Sequence, residues 1–388
     1  MKKIGTVLGL KLGLMMFCAM MTMAATVFAE DAKPAGPVVS ADDLKKALGL
    51  SIYLQGGYTV NANASSESGV PGDAGSENNL RVFDHKANSF TLDLAQIVFQ
   101  KDPAIGGAGF KLKLSAGETA KWIHATGLGN QPAGTNPESF DVTEAYVSYT
   151  AAVGKGLRFD FGKYVTYHGA EVIEAIDNVN YSRSFLFNYA IPFTHTGVKV
   201  SYPFTDTLTA TFHVVNGWDN ATDNNTAKSY MLNISYAPVE AFSGVLNLMT
   251  GPEQPDNNRD NRTLVDLVAT IKPIKPLSII LNYDDGQEDH LAASGGTAKW
   301  SGIAGIVKYD INDTYSIAVR AESFDDKDGV RTGTVQKLTE ETVTLEVRLN
   351  GGIILRPEYR HDSSDTESFD NGTKKSQDTL ALGVMYRW

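Results

Sequence analysis

The sequence predicts an all-β chain, a transmembrane antiparallel β-barrel of about 16 strands, and three observations carry that prediction. Segments that alternate apolar with polar residues recur along the chain, joined in turn by tight turns and by long polar connections. The chain closes on Asp378-Thr379-Leu380-Ala381-Leu382-Gly383-Val384-Met385-Tyr386-Arg387-Trp388. Here Leu380, Leu382, Val384, Tyr386 and Trp388 fall on one side of a strand, with Thr379, Ala381, Gly383 and Arg387 on the other. A segment of about 10 such residues is long enough to cross a bilayer as a tilted strand. At the other end, Lys2 and Lys3 precede an apolar stretch from Ile4 to Met23, which has the pattern of an export signal.

That leader ends at Val27-Phe28-Ala29, so residues 1–29 read as a Sec signal peptide. The one cysteine, Cys18, lies inside it after Met15-Met16-Phe17, which is not a lipobox of small residues, so no lipid anchor is expected. Without the leader the chain has no cysteine, which excludes disulfides and thiol chemistry. Removing Lys2, Lys3 and Lys11 from the 34 basic residues leaves 31 against 45 acidic ones, a formal charge of −14. A basic nucleic-acid footprint is absent, and no nucleic-acid partner is expected. No later run approaches the roughly 18 apolar residues of a membrane helix. Even so, 42% of the chain is hydrophobic, dispersed in short alternating runs.

Residues 30–50 read as a periplasmic lead, flexible over Ala32-Lys33-Pro34-Ala35-Gly36-Pro37. A capped helical turn or two follows between Ser40 and Leu48, too short for a coiled-coil stalk. Residues 51–388 form the expected barrel. Tight turns are predicted at 101–103, 154–156, 203–206, 238–240, 273–276, 310–313 and 350–352, from Pro, Gly, Asn and Asp. Long connections are predicted around 64–88, 117–138, 166–187, 219–227, 251–261, 285–298, 324–338 and 362–377. Short turns on one side and long loops on the other match short periplasmic turns and long extracellular loops. Both chain ends then lie in the periplasm, the strand number is even, and the expected location is the outer membrane of a diderm bacterium.

Alternation alone does not say which face is outside. The apolar face is taken as outward because of the leader, Trp388, and tyrosines placed at strand ends as membrane girdles, namely Tyr149, Tyr202, Tyr236, Tyr283, Tyr309 and Tyr359. The polar face carries Arg158, Asp160, Lys199, Arg320, Glu322, Glu346, Arg348, Arg356, Glu358 and Arg360. Barrels of about 16 to 18 strands leave an aqueous channel, so these charges are expected to line water.

The connection after Phe161 is too rich in apolar and aromatic residues to be an exposed loop. The segment from about Thr166 to Asn188 is expected to fold inward and narrow the channel, held to the wall by Val172, Ile173, Ile176 and Phe185. Its Glu171, Glu174 and Asp177 are expected to face Arg183 or the lumen arginines Arg320, Arg348, Arg356 and Arg360 across a constriction. Within it, Gly169-Ala170-Glu171-Val172-Ile173-Glu174 and Asn180-Tyr181-Ser182-Arg183-Ser184-Phe185-Leu186-Phe187-Asn188-Tyr189-Ala190-Ile191-Pro192 resemble the outer-membrane beta-barrel porin family of the OmpL-like group. The resemblance implies a porin for passive diffusion of small hydrophilic solutes or ions, and brings no ligand residues with it.

The alternative is a barrel that does not transport, serving as structural anchor, adhesin or surface receptor through its loops. Catalysis is not expected, since His168, His195 and His213 accompany neither a Gly-x-Ser-x-Gly elbow nor a His-Glu-x-x-His pair. No cofactor is expected. The acidic loops at 284–289 and 325–328 lack calcium-loop spacing, so no metal is assigned. Expected partners are outer-membrane lipids, the diffusing solutes, the barrel-assembly machinery through the strand ending at Trp388, and two further copies in a homotrimer.

Overall fold

Sixteen strands pair in chain order, and β1 closes on β16. In this computed structural model, which describes residues 45–46, 49–62, 77–128 and 139–388, they are β1 Leu50–Asn61, β2 Phe90–Lys101, β3 Ala108–Ala116, β4 Phe140–Ala151, β5 Leu157–Val165 and β6 Thr194–Pro203. Next come β7 Leu208–Val215, β8 Ser229–Val239, β9 Phe242–Pro252, β10 Asn261–Ile274 and β11 Leu277–Glu288. The last five are β12 Ala298–Asp310, β13 Tyr315–Asp326, β14 Gln336–Arg348, β15 Ile353–Ser364 and β16 Ser376–Arg387. Every ladder is antiparallel, including the seam where Gly57 pairs with Gly383. Among the described residues, helix beyond 45–46 is limited to α1, Glu118–Trp122, and single turns at Ala175–Asp177 and Leu186–Ala190. The leader and its cleavage site lie outside the described residues; of the expected helical turn, Lys45 and Lys46 are described and helical.

All seven predicted tight turns join consecutive strands, and the eight long connections alternate with them. Along β16, Leu380, Leu382 and Val384 are exposed at 61%, 43% and 41%, while Gln377, Thr379 and Met385 are buried. The same alternation exposes Ile303, Val307, Ile317, Val319 and Val343. An apolar band around a closed sheet is stable against lipid, because closure pairs the two edge strands and leaves no wet edge. Two strand-end placements need correction: Tyr283 and Tyr359 are exposed but lie mid-strand, because β11 and β15 run on beyond them to Glu288 and Ser364. Pro357 interrupts one ladder. With no N–H to donate, it leaves Leu345 and Glu346 unpaired between the Thr344–Glu358 and Val347–Leu355 pairs of β14 and β15.

Candidate functional site

The connection between β5 and β6, residues 166–193, turns into the barrel. Its base is closed by a hydrogen bond from the Thr166 N–H to the Phe193 carbonyl (2.9 Å), and Asp219 Oδ1 accepts from the N–H groups of Phe193 and Thr194 (2.7 and 2.8 Å). From there the loop travels around the inner wall. The N–H of Gly169 donates to Asp266 on β10 and that of Ala170 to Asn282 on β11 (3.0 and 3.1 Å). Glu171 meets Arg320 on β13 at 2.8 Å, and Glu174 meets Lys113 on β3 and Gln96 on β2, both at 2.8 Å. The Ile176 N–H reaches the Tyr53 hydroxyl on β1 (3.2 Å), and Asp177 pairs with Arg387 at the end of β16. Returning, the loop meets Thr344 on β14 through Asn180 and Trp300 on β12 through the Ala190 carbonyl (2.7 and 3.1 Å).

Wall carboxylates and guanidiniums grip the loop backbone. Glu358 accepts the N–H groups of Tyr181 and Ser182 (2.7 and 3.0 Å), and Glu322 accepts those of Phe185 and Leu186. Arg320 donates to the Ser182 carbonyl and hydroxyl (2.9 and 3.0 Å), Arg356 to the carbonyls of Ala175 and Asn180, and Arg360 to that of Arg183. Shape fits as well. The Tyr181 ring lies over the Gly57–Gly383 pair, where added methyls would come within 1.9 and 2.3 Å of it, and its hydroxyl donates to Asp93 on β2 (2.7 Å). Leu186 similarly occupies the space left by Gly302.

These contacts correct several expectations. Arg320, Glu322, Arg356, Glu358 and Arg360 are buried under the loop and do not line water, because the loop's backbone dipoles are their partners. Glu346 is buried too, held by Arg356 and Arg348; Arg348 remains partly open near the turns, also paired with Asp310. Arg183 faces none of the loop acids. It is folded back on the carbonyls of Val172, Ile173 and Tyr181, with its guanidinium 4.9 Å from the Phe83 ring centre, and it pins the loop to itself. Glu174 and Asp177 meet Lys113 and Arg387 instead of the predicted arginines, and only Glu171 engages one, Arg320. Ile173 and Phe185 are buried and Ile176 half-buried, but Val172 is 42% exposed and points away from the wall contact. Burial alone would raise the Glu174 carboxyl, yet Lys113 holds it down to about 2. Burial, aided by His195, pushes the His168 imidazole down to about 3, so it is neutral at the loop root.

The loop leaves a chamber of about 710 Å³ at the turn end, against β4 to β9. Its wall combines Arg158, Asp160 and Lys199 with Ser201, Thr209, Thr211, Asn233 and Ser235, and the loop contributes Tyr167, His168 and Val172. The Lys199 ammonium lies 3.6 Å from Asp160, donates to the Tyr167 hydroxyl (2.9 Å), and sits 4.5–5.1 Å from the ring centres of Tyr146, Tyr164 and Tyr167. Arg158 bonds Asp160 at 2.9 Å and reaches Asp102 at 3.3 Å. Sequence reasoning missed Lys113, Arg387, Tyr181 and Asp266 as loop anchors. The one available signal was the pair of glycines on inward strand positions, Gly57 and Gly383. Among the described residues no group of three or more His, Cys, Asp or Glu is arranged to hold a metal ion.

A closed antiparallel barrel of this strand number, belted in apolar residues and with one loop folded into its lumen, defines the porin class of outer-membrane barrel. The chain belongs to the family described as "Putative beta-barrel porin-2, OmpL-like", whose model matches residues 47–388. No curated protein sequence matches it. Solved structures share the fold at low identity. The outer membrane channel DcaP of Acinetobacter baumannii is 12% identical with a TM-score of 0.59, covering 87% of this chain and 96% of its own. An anion-selective porin from Comamonas acidovorans is 11% identical with a TM-score of 0.58, covering 87% and 98%. OmpF of Salmonella typhi, in complex with daunomycin, is 12% identical with a TM-score of 0.59, covering 87% and 97%.

Proposed function

We propose that this protein is a non-enzymatic porin of the outer membrane, conducting small hydrophilic solutes or ions passively past a constriction formed by residues 166–193. The observation that supports it is the inward loop, which covers the charged wall of β13 to β15 while leaving the polar chamber of about 710 Å³ beside β4 to β9. In this reading Glu171, Glu174 and Asp177 shape the constriction, and Arg158, Asp160 and Lys199 are the wall charges nearest the solute. Insertion through the strand ending at Trp388 and assembly as a homotrimer complete the proposal. Planar-bilayer conductance of the refolded protein in a salt gradient tests pore, size and ion preference together, with steps of fixed conductance expected. The reach of the loop, which bonds strands from β9 around to β3, favours the second reading, a barrel that anchors or binds through its loops. A protein that folds but stays silent in the bilayer selects that reading.

A further inference from the structure

We propose, resting on the porin reading, that the chamber at the turn end is a binding subsite for neutral polyhydroxylated solutes of the sugar class. The chamber's charges are already spent on one another. Both cations, Arg158 and Lys199, converge on Asp160, Arg158 also reaches Asp102, and Glu171 at its edge is tied to Arg320. An ionic solute therefore meets paired charges that it could engage only by breaking those pairs, and desolvating a charge without a partner is unfavourable.

What the wall offers instead is a contiguous patch of neutral hydrogen-bonding groups. Ser201 pairs in register with Thr211, Thr211 with Asn233, and Thr209 with Ser235, so four hydroxyls and one amide occupy adjoining inward positions on three neighbouring strands. A hydroxyl both donates and accepts, which suits a solute whose own groups are hydroxyls. The Ser201 and Thr211 hydroxyls lie 2.9 Å apart and already satisfy one another, leaving Thr209 and Ser235 at the half-buried rim as the first to meet a solute. Elsewhere in the lining the surface changes character. The rings of Tyr146 and Tyr167 and the 42%-exposed Val172 present apolar area from β4 and the loop. A pyranose has the same division, C–H groups on its faces and hydroxyls around its edge. The chamber's volume lies in the range of built small-molecule sites, which are largely apolar with a few placed polar groups.

The test measures sucrose binding to the refolded full-length barrel in two ways, by isothermal calorimetry in detergent and by the salt conductance of single channels in the bilayer. Polyethylene glycol of the same mass serves as the comparator. Saturable heat with sucrose, and saturable loss of current that the glycol does not reproduce, are expected. In Thr209→Val with Ser235→Ala, two hydrogen bonds are lost and sucrose binding weakens about tenfold. The gel shift on heating verifies that the variant is folded. Channels that conduct while sucrose gives no heat and lowers current no more than the glycol overturn the subsite and leave the porin standing. Binding heat in a protein that never conducts overturns the porin and leaves the subsite. Equal sucrose affinity in the folded double variant removes the hydroxyl patch as its basis.

Discussion

Arg320 ties the loop to the wall through both an acid and a backbone carbonyl of the loop, so its loss should loosen the loop. The side chain is fully buried, with Glu340 at 2.5 Å, Glu171 at 2.8 Å, and the Ser182 carbonyl and hydroxyl at 2.9 and 3.0 Å. In Arg320→Ala two carboxylates remain buried without their cation, and truncating one member of such a pair costs about 3–5 kcal/mol. The lost bonds to Ser182 add about 1 kcal/mol each, although terms in one network do not sum cleanly. Glu340 keeps a second partner in Arg360 at 3.6 Å, whereas Glu171 keeps only the N–H of Ser184 (2.7 Å). The strain therefore falls on the loop side of the pair. Arg320→Ala is expected to raise single-channel conductance, expose the loop to limited proteolysis and lower the temperature of the heat-induced gel shift. Arg320→Met combined with Glu171→Gln, which strands no charge on the loop, should recover a good part of the lost stability. Unchanged conductance and proteolysis in a folded Arg320→Ala would refute the view that wall charges hold the loop.

Further outcomes follow from other contacts. Gly383→Val removes the space under Tyr181 and should raise conductance without altering any charge, checked in the same bilayer assay against Gly305→Val, whose added atom meets only Leu281 at 3.8 Å. Glu174→Gln with Asp177→Asn should shift the reversal potential toward anions at low salt, where screening is weakest. Most of that shift should come from half-exposed Asp177, because Glu174 is buried against Lys113. Burial pushes the Glu253 carboxyl up to about 7 from 4.5, against the pull of Ser229, the Trp218 N–H and Arg262. The fold therefore binds the proton more tightly than the unfolded chain does, and stability falls by roughly 3 kcal/mol as pH rises from about 4.5 to 7, then levels off. Melting of wild type and Glu253→Gln between pH 5 and 8 should show this slope in the first and not in the second.

The fold was legible because its signals are local. Turns need residues that tolerate unusual dihedrals, as at Gly154 and Gly156, both at positive φ, and at Gly351 and Gly352. The face of each strand follows from period-two alternation, so counting along the chain is enough to assign Leu380 and Thr379 to opposite sides. Strand ends were less legible. Tyr283 precedes Asp284 and Asp285 and so resembled a boundary, yet β11 continues to Glu288, since a barrel wall can rise beyond the lipid once its outer face turns polar.

The site was less legible because alternation says that a residue faces inward and not what it meets there. Arg320, Glu322, Arg356, Glu358 and Arg360 read as water-lining charges, since an isolated charged position on a wide barrel has no other evident partner. The missing partner was backbone. A loop folded into a lumen brings N–H and C=O groups that no ladder satisfies, and each must find an acceptor or donor. Carboxylates that take two consecutive N–H groups, and guanidiniums that take carbonyls, meet that need, while the loop's dipoles compensate charges that burial would otherwise penalise. The density of charge on β13 to β15 therefore marks where the loop docks. The neutral stretch on β7 and β8, where Thr209, Thr211, Asn233 and Ser235 stand in place of Arg and Glu, faces the chamber beside the loop, next to Lys199 on β6. In the proposed porin the charged strands set pore size through the loop they hold, and the uncharged strands set the chemistry a solute meets.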